Sequence, residues 1–253
     1  MKQMTNRDRF LSVMEYKPVD RVPNYEVGVW SQTRERWQQE GLNIHDLHWD
    51  WFTGEEYFDV DAREYIPVDY GMIPPFESKV LEENERHEII QDGSGRIRKA
   101  LKVGAIDGSR TSMDQYLKFA VENREDFKKI KERFIANLGK RYPPGWLEIM
   151  APRWQNRNHV LVLGRNCSTL GFYWRARVWM GTEGVSYGWY DQPDLMHEMM
   201  EFIADFTIEV SKPILQTTDV DYVFINEDMA MKQGPLLSPD CYREFIFPHM
   251  KRL

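Results

Sequence analysis

The pattern of apolar positions predicts four short strands, each followed by polar side chains. The clearest is residues 159–164, HVLVLG, an uninterrupted apolar run of the length that buried strands have. Residues 22–30, 63–71 and 221–225 predict the other three, and helical patterns lie between them. Such alternation is typical of an α/β protein with a parallel sheet, in which the carboxyl ends of the strands carry the chemistry.

Helical periodicity is strongest in the second half of the chain. From Pro193 onward, Leu195, Met199 and Phe202 recur at helical spacing, which predicts a long helix with one buried face. Further helices are predicted at residues 5–16, 31–39, 112–119, 123–134 and 172–190, the last of them broken at Gly181 and Gly184.

Capping residues mark where three of these helices begin. Asn123 precedes Glu125 and Asp126, and Ser238 precedes a proline, both typical of a helix N-terminus. Ser31 is the predicted cap of the helix at residues 31–39. In the first helix the charged residues 7–9 are expected to face water.

A hairpin is predicted near the middle of the chain. Residues 92–95, DGSG, stand between two extended arms, residues 87–90 and 96–103. An Asp-Gly turn between such arms is a strong hairpin signal. No helix start follows the glycines, so a phosphate-binding loop is not indicated. A β excursion beside the main sheet is therefore expected.

Composition limits the class of protein. A chain of 253 residues suits a single domain, residues 1–253, and 42% hydrophobic with 29% charged residues is ordinary for a soluble fold. A net charge of -7 argues against a nucleic-acid partner, and no apolar run reaches the length of a membrane helix. Two cysteines give no disulfide framework, which favours a cytoplasmic location.

Aromatic residues are unusually frequent, with nine Trp and twelve Tyr. They predict either extensive packing in the core or a large pocket for a flat, bulky ligand, since aromatic side chains line such clefts. The sequence leaves both readings open.

Three stretches together resemble a known superfamily. The C-terminal stretch reads EDMA, GPLLSP and YREFIFPHMKRL after an apolar strand. The first stretch reads MTNRDRFLSVMEYKPVDRVPNYE, and the middle one GFYWRARVWMGTEGVSYGWYDQPDLMHEMMEFIADF. These resemble the uroporphyrinogen decarboxylase superfamily, which holds a tetrapyrrole decarboxylase and cobamide-dependent methyltransferases.

The resemblance implies a TIM-barrel-like (β/α)8 architecture. Four strand candidates are half of what a closed barrel needs. The fold class expected is therefore α/β with a barrel that is incomplete at its C-terminal side. Open strand edges and exposed apolar surface would then favour a homo-oligomer or a partner chain.

Candidate site residues are the polar and aromatic groups at the predicted strand ends. Paired carboxylates suit general acid/base chemistry or the binding of a cationic or hydroxylated ligand. Helix capping and ion pairing with Arg175 or Arg177 are the structural alternative for these carboxylates. The candidates are Glu227 and Asp228 as catalytic groups, and Glu26, Trp30, Tyr70, Asn166, Cys167 and Arg177 as substrate-binding groups.

No metal site is predicted. His45 and His48 share the spacing of a helical face, but no third ligand follows nearby. The His-x-Cys pair that the resembled methyltransferases use for zinc is absent, so zinc is expected only with ligands from outside this chain. The cofactor is left unknown, with a cobamide as the candidate that the resemblance implies.

Three functions are considered, and the resemblance implies the first two. The arginine-rich signature of the decarboxylase, RQAGR, is missing after residues 22–30, because Arg34 and Arg36 stand on the following helix. Arginine matters there because its guanidinium binds substrate carboxylates bidentately. Methyl transfer from a cobamide or a small methylated substrate is therefore the leading hypothesis. Tetrapyrrole decarboxylation is the alternative, and a non-catalytic fragment or subunit that binds a partner is the third.

Overall fold

The structure is a computed structural model that describes residues 3–26, 28–43, 55–102, 114–164 and 170–253. Its helices are α1 (Asn6–Met14), α2 (Ser31–Gln39), α3 (Glu55–Phe58), α4 (Arg124–Lys131), α5 (Leu138–Arg141), α6 (Ala151–Gln155), α7 (Phe172–Asp191), α8 (Pro193–Thr217), α9 (Pro239–Cys241) and α10 (Phe247–Met250). Its strands are β1 (Arg63–Tyr65), β2 (Lys79–Glu83), β3 (His87–Gln91), β4 (Ile97–Leu101), β5 (Gln115–Lys118), β6 (Val160–Leu163), β7 (Tyr222–Val223), β8 (Ala230–Met231) and β9 (Gly234–Pro235). Two π-helical turns, Trp146–Met150 and Tyr242–Ile246, precede α6 and α10.

A parallel sheet of three strands, in the order β1-β6-β7, lies at the centre. All four residues of β6 are buried, as the apolar run predicts for a strand covered on both faces. The α/β class with a parallel sheet is confirmed. A closed eight-stranded barrel is not seen among the described residues, since their sheets are small and separate.

The strand predicted at residues 22–30 is wrong for the part that the structure describes. Two bonds through Asn24 tie this segment to the start of β1: its carbonyl accepts from the Asp61 N–H at 2.7 Å, and its own N–H donates to the Asp61 carboxylate at 2.8 Å. Val27 lies outside the described residues. One backbone bond and one side-chain bond to Asp61 thus stand in place of the ladder of backbone bonds that a strand needs.

The predicted hairpin is confirmed, within an antiparallel sheet of order β2-β3-β4-β5. Gln91 pairs with Ile97 across the turn. The helix predicted at residues 112–119 is wrong, because residues 115–118 form β5 against β4. Every residue of β5 is exposed, so burial gave this segment no alternating pattern.

The main core lies between α4, α7 and α8. Several of the aromatic residues pack there, which is one of the two roles that the sequence left open. Trp179 of α7 packs against Phe127 and Phe134, with ring centroids 5.6 and 5.5 Å apart. Phe202 and Phe206 of α8 meet Phe134 edge-on, at 6.3 and 5.3 Å. Edge-to-face contacts of this kind stabilise a core beyond the area they bury.

One of the two predicted breaks in α7 is confirmed. Gly181 has a φ of 78° and interrupts the helix, and a Cβ there would lie 2.3 Å from the Phe119 ring. Gly184 keeps helical geometry. The close approach of Phe119, together with the left-handed backbone, explains why a glycine stands at position 181.

The first helix, α1, buries a charged residue that was predicted to face water. Thr5 caps it by accepting the Asp8 N–H at 3.0 Å. Arg9, expected to face water, is buried instead and binds Asp20 and Asp61 at 2.7 and 2.8 Å. Because these partners come from later in the chain, helical periodicity alone does not reveal them.

Candidate functional site

Two glycines bring the ends of β6 and β7 together. The Asn226 N–H donates to the Leu170 carbonyl at 2.7 Å, which holds the start of α7 against the segment after β7. Gly171 has a φ of 150°, and a Cβ there would lie 2.0 Å from the Asn226 carbonyl oxygen. A Cβ added at Gly164 would likewise lie 2.5 Å from the Phe224 carbonyl oxygen. Only glycine allows the two segments to lie this close.

Glu227 caps α7, which is the role that the sequence left as one of two alternatives. Its carboxylate accepts the N–H groups of Phe172 and Trp174 at 2.5 and 3.2 Å. These are orphan donors of the first helical turn, which an anion satisfies well. Burial raises the pKa of Glu227, although the N–H groups of Phe172, Trp174 and Tyr173 work in the opposite direction. The side chain therefore fixes the geometry of both strand ends.

Asp228 and Arg177 form an ion pair at the surface beside this cap. Their Oδ2 and Nη2 atoms are 2.8 Å apart, and the Arg177 guanidinium also donates to the Asp228 carbonyl at 3.1 Å. The guanidinium lies over the Trp174 ring, 4.6 Å from its centroid. The structure thus places Arg177, one of the two arginines suggested as partners, beside the predicted carboxylates Glu227 and Asp228.

Tyr173 lies beneath the pair and was missed by sequence reasoning. It is fully buried, and its hydroxyl has no hydrogen-bond partner among the described residues. Burial raises the pKa of Tyr173; the negative charge of Asp228 adds to the rise and the positive charge of Arg177 opposes it. The spacing of residues 173 and 177, one helical turn, is the signal that places Tyr173 on the face of Arg177.

The unpartnered hydroxyl gives a test of the local structure. Tyr173→Phe is expected to raise the free energy of unfolding by about 1 kcal/mol, because it removes a buried polar group that makes no hydrogen bond. Urea unfolding monitored by circular dichroism measures the change. Tyr70→Phe is the matched control, since the Tyr70 hydroxyl bonds Ser211 at 2.7 Å and its loss should destabilise the fold. Destabilisation by Tyr173→Phe equal to that of the control would contradict this account.

Tyr70 lies in the interior of the core. It is fully buried, and its carbonyl accepts from Arg175 Nη1 at 3.1 Å. Arg175 is itself buried, with its guanidinium 4.9 Å from the centre of the Phe134 ring. Burial, followed by the charge of Arg141, lowers the pKa of Arg175 to about 10. Both side chains are therefore placed for packing, and substrate binding by Tyr70 stays a prediction.

Glu26 and Trp30 lie together at a different place. They line one cleft of about 400 Å³ at the start of α2. Glu227, Asp228 and Arg177 are not among the residues that line this cleft. The described site candidates thus form two groups, one at Glu227, Asp228 and Arg177 and one at Glu26 and Trp30. Tyr70 lies apart from both, in the core.

Several candidates fall outside the described residues, namely Asn166, Cys167, His45 and His48. The other cysteine, Cys241, is buried, and its sulfur lies 3.5 Å from the Tyr190 hydroxyl. Ser238 caps the helix that contains it, as predicted, by accepting the Cys241 N–H at 3.1 Å. In the part of the chain that the structure describes, no group of three His, Cys, Asp or Glu side chains could hold a metal ion.

Comparison with known families adds one result. A family model described as Uroporphyrinogen decarboxylase (URO-D) matches residues 179–253. The predicted resemblance to this superfamily is thereby confirmed over that stretch, which runs from the middle of α7 through Asp228 to α10. No curated protein and no solved structure matches the chain at a significant level. Within the described residues, no helix has both the length and the apolar character needed to span a membrane.

Proposed function

We propose that the chain is a methyltransferase-like enzyme of the uroporphyrinogen decarboxylase superfamily. It would take a methyl group from a methylated cobamide or a small methylated substrate and transfer it to a thiol. The thiol sulfur would form the new bond to carbon after releasing its proton to solvent, and the electron pair of the broken methyl bond would stay with the donor. The observation that supports this proposal is the Arg177–Asp228 pair beside Trp174. It places a partly exposed cation at the carboxyl ends of β6 and β7. Parallel sheets of α/β proteins bind their ligands at this end.

Arg177 is the residue that would act on the thiol. A thiol becomes a good nucleophile when it loses its proton, and a neighbouring guanidinium stabilises the thiolate that results. The Arg177 side chain is 23% exposed, so a ligand can reach it, and Trp174 fixes one face of its guanidinium. Asp228 would hold the guanidinium in place and give way to the thiolate as the substrate binds.

Glu227 would act as a positioning residue. Its two oxygens are bonded to the first turn of α7, at Phe172 and Trp174. A carboxylate used in this way keeps Trp174, and with it the Arg177 guanidinium, at a fixed distance from the end of β7. Preorganised charge of this kind is what lowers a barrier without reorganisation during the reaction.

Zinc, which the resembled methyltransferases use to activate the thiol, does not fit the described residues. They offer no group of three ligands, and the Cys241 sulfur is buried in the core with the Tyr190 hydroxyl 3.5 Å away. No step is therefore derived through zinc. When bound, a methylated cobamide would supply the methyl group, and the residues above would bind and orient the acceptor.

Tetrapyrrole decarboxylation is the second candidate, favoured by the description of the family model that matches residues 179–253. That reaction needs guanidinium groups facing the ligand to bind several carboxylates. Four of the described arginines are buried and bonded inside the fold instead: Arg9 to Asp61, Arg157 to Asp221, Arg141 to the carbonyl of Ile135 and Arg175 to the carbonyl of Tyr70. These buried guanidinium groups are therefore not placed to bind the carboxylates of a tetrapyrrole.

The (β/α)8 barrel remains part of the proposal. The parallel order β1-β6-β7 is what three strands of such a barrel would show, and the match to the family over residues 179–253 supports it. In this arrangement Glu227 and Asp228 would stand at the mouth of the barrel, where TIM-barrel enzymes carry their catalytic groups.

Loss of the Arg177 charge tests the proposal. Arg177→Met is expected to lower kcat/KM for demethylation of methylcobalamin by about 100-fold, the effect of removing one preorganised charge from an active site. The measurement follows the visible absorbance of methylcobalamin with 2-mercaptoethanol as acceptor.

Arg243→Met is the matched control, because Arg243 forms an exposed pair with Asp240 at 2.7 Å. It should leave the rate unchanged. Equal rates for Arg177→Met and the wild type would overturn the role of Arg177. No spectral change with a well-folded wild-type protein would overturn methyl transfer from a cobamide.

A further inference from the structure

An apolar groove lies between the second half of α8, the strand β7 and the C-terminal residues of the chain. It has a volume of about 350 Å³, within the range of small-molecule sites. Leu163 and Leu170 are buried at its base, and Ile208, Leu215 and Val223 line its sides.

The sequence of α8 explains why one wall of the groove is continuous. Thr207, Ser211 and Leu215 follow one another at intervals of four, and the residue after each of them also lines the groove. The stripe that these positions form along α8 is about 14 Å long at the rise of an α-helix. It lies beside the helix face whose Val210 and Ile214 are buried in the main core. A straight hydrocarbon chain therefore has a wall of matching length on α8.

The sides of the groove expose apolar surface to solvent. Leu215 is 49% exposed and Val223 is 43% exposed. Val223 belongs to β7, which pairs with β6 on one edge and has no other partner strand among the described residues. Bound hydrocarbon would remove this surface from water, and each buried methylene group strengthens binding about fourfold.

The side-chain charges that line the groove are positive. Among the described residues, Lys212 and Arg252 are its charged side chains. Arg252 is bonded to Asp205 and His249. Lys212 is exposed, and no ion pair joins it to another residue in the part of the chain that the structure describes, Glu209 one turn earlier included. An anionic head group would therefore meet a lysine that has no carboxylate partner among those residues.

We propose that this groove binds a medium-chain fatty acid as the free molecule. The hydrocarbon chain would lie between Ile208, Leu215 and Val223, and the carboxylate would pair with Lys212. The length of the stripe on α8 suits a chain of roughly eight to ten carbon atoms. None of the residues of the proposed methyl-transfer site lines the groove, so the inference does not depend on that proposal.

A series of ligands that differ in length and charge tests this site. Titration calorimetry of the full chain, with neither cobamide nor thiol present, measures the binding of each ligand. Octanoate is expected to bind about 15-fold more tightly than hexanoate, because it buries two more methylene groups. The neutral analogue 1-octanol should bind about threefold more weakly than octanoate, which is the effect of losing an exposed ion pair. Octylammonium, a cation with the same chain, should bind more weakly still.

Variants separate the contributions of charge and apolar surface. Lys212→Met should weaken octanoate about threefold, to the level of 1-octanol, and leave 1-octanol unchanged. Lys128→Met is the matched control, since it removes the same charge from an exposed pair with Glu125, at 2.6 Å, outside the groove. Leu215→Glu should abolish binding of octanoate, because it places a carboxylate in the apolar wall. Lys212 and Leu215 are both exposed, so these variants should fold, and circular dichroism checks that they do.

Several results would overturn the inference. Equal affinities for hexanoate and octanoate would mean that the hydrocarbon chain does not lie in the groove. Tighter binding of 1-octanol or octylammonium than of octanoate would mean that the nearby acidic groups, Asp205, Glu209 and the α-carboxylate of Leu253, outweigh Lys212. A dimer in sedimentation velocity that octanoate leaves intact and Leu215→Glu dissociates would mean that a second copy covers the groove. Absence of binding by all four ligands would mean that the groove is not a site for such molecules.

Discussion

Replacing Asp221 with alanine is expected to lower the free energy of unfolding by about 3–5 kcal/mol, the cost of leaving a buried charge without its partner. The Asp221 side chain is fully buried at the start of β7. Its carboxylate binds Arg157 at 2.8 Å, Arg7 at 2.8 Å and the Leu161 N–H at 2.8 Å. Arg157 is 1% exposed, so its charge lies in the interior and loses its carboxylate partner in the variant.

The same network sets the response of the fold to acid. Burial acts to raise the pKa of Asp221, but the Leu161 N–H and the guanidinium groups of Arg157 and Arg7 outweigh it, so the pKa is lowered. A carboxyl with a lowered pKa stabilises the fold fully above its unfolded value of about 3.9. That contribution is lost as the pH falls from there through the folded pKa. Asp221→Ala should therefore unfold with less dependence on pH below about 4.

Asp219 provides the matched control. It binds the same Arg7 guanidinium at 2.5 Å, but its side chain is 79% exposed. Asp219→Ala should cost less than about 1 kcal/mol, as exposed ion pairs do. Urea unfolding at neutral pH and at pH values below about 4 measures both variants. Equal losses for Asp219→Ala and Asp221→Ala would contradict the argument from burial.

Gly171→Ala adds a single methyl group and is expected to lower the free energy of unfolding by roughly 4 kcal/mol or more. The added Cβ would lie 2.0 Å from the Asn226 carbonyl oxygen, and the backbone at φ 150° disfavours any side chain. To relieve the overlap, the start of α7 must move away from the segment after β7. That movement also breaks the bonds of Glu227 to Phe172 and Trp174, so activity should fall with stability.

Gly234 separates the two causes of that loss. Its φ is 144°, close to that of Gly171, but a Cβ there would meet nothing within 4 Å. Gly234→Ala should therefore show backbone strain alone, about 1–3 kcal/mol. Thermal unfolding of both variants, with the demethylation rate measured on the same samples, gives the comparison. A Gly171→Ala protein as stable as Gly234→Ala would mean that α7 and the segment after β7 are not held in close contact.

Local signals in the sequence predicted the elements that depend on local interactions. The apolar run of β6, the cap at Asn123 and the periodicity of α8 are each complete within a few residues, and each is confirmed. The hairpin between β3 and β4 is likewise contained in its own turn. These elements did not require knowledge of what lies across the fold.

Elements that depend on distant partners were missed. Arg9 is buried because Asp20 and Asp61 come to it from later in the chain. Residues 115–118 pair with β4, although their own pattern predicted a helix. Ser31, the predicted cap of α2, is instead its first helical residue. Trp30 holds the N-cap position and makes no side-chain cap bond.

The candidate site shows the same division. Glu227 and Asp228 were found because they follow an apolar strand, but the partner of each comes from α7. The pattern suggested Arg175 and Arg177 equally as ion-pair partners. Arg177 meets Asp228, whereas Arg175 is directed into the core toward the Tyr70 carbonyl. Tyr173 carries no sequence signal beyond its spacing from Arg177.

The most direct test of the central claim is to follow the fate of two isotopically labelled substrates. One sample contains methylcobalamin labelled in its methyl carbon, with 2-mercaptoethanol, and a second contains uroporphyrinogen labelled in its carboxyl carbons. Methyl transfer at the Arg177–Asp228 pair predicts labelled S-methyl product in the first sample, lost in Arg177→Met, and no labelled carbon dioxide in the second. Labelled carbon dioxide from uroporphyrinogen, with no S-methyl product from methylcobalamin, would contradict the account.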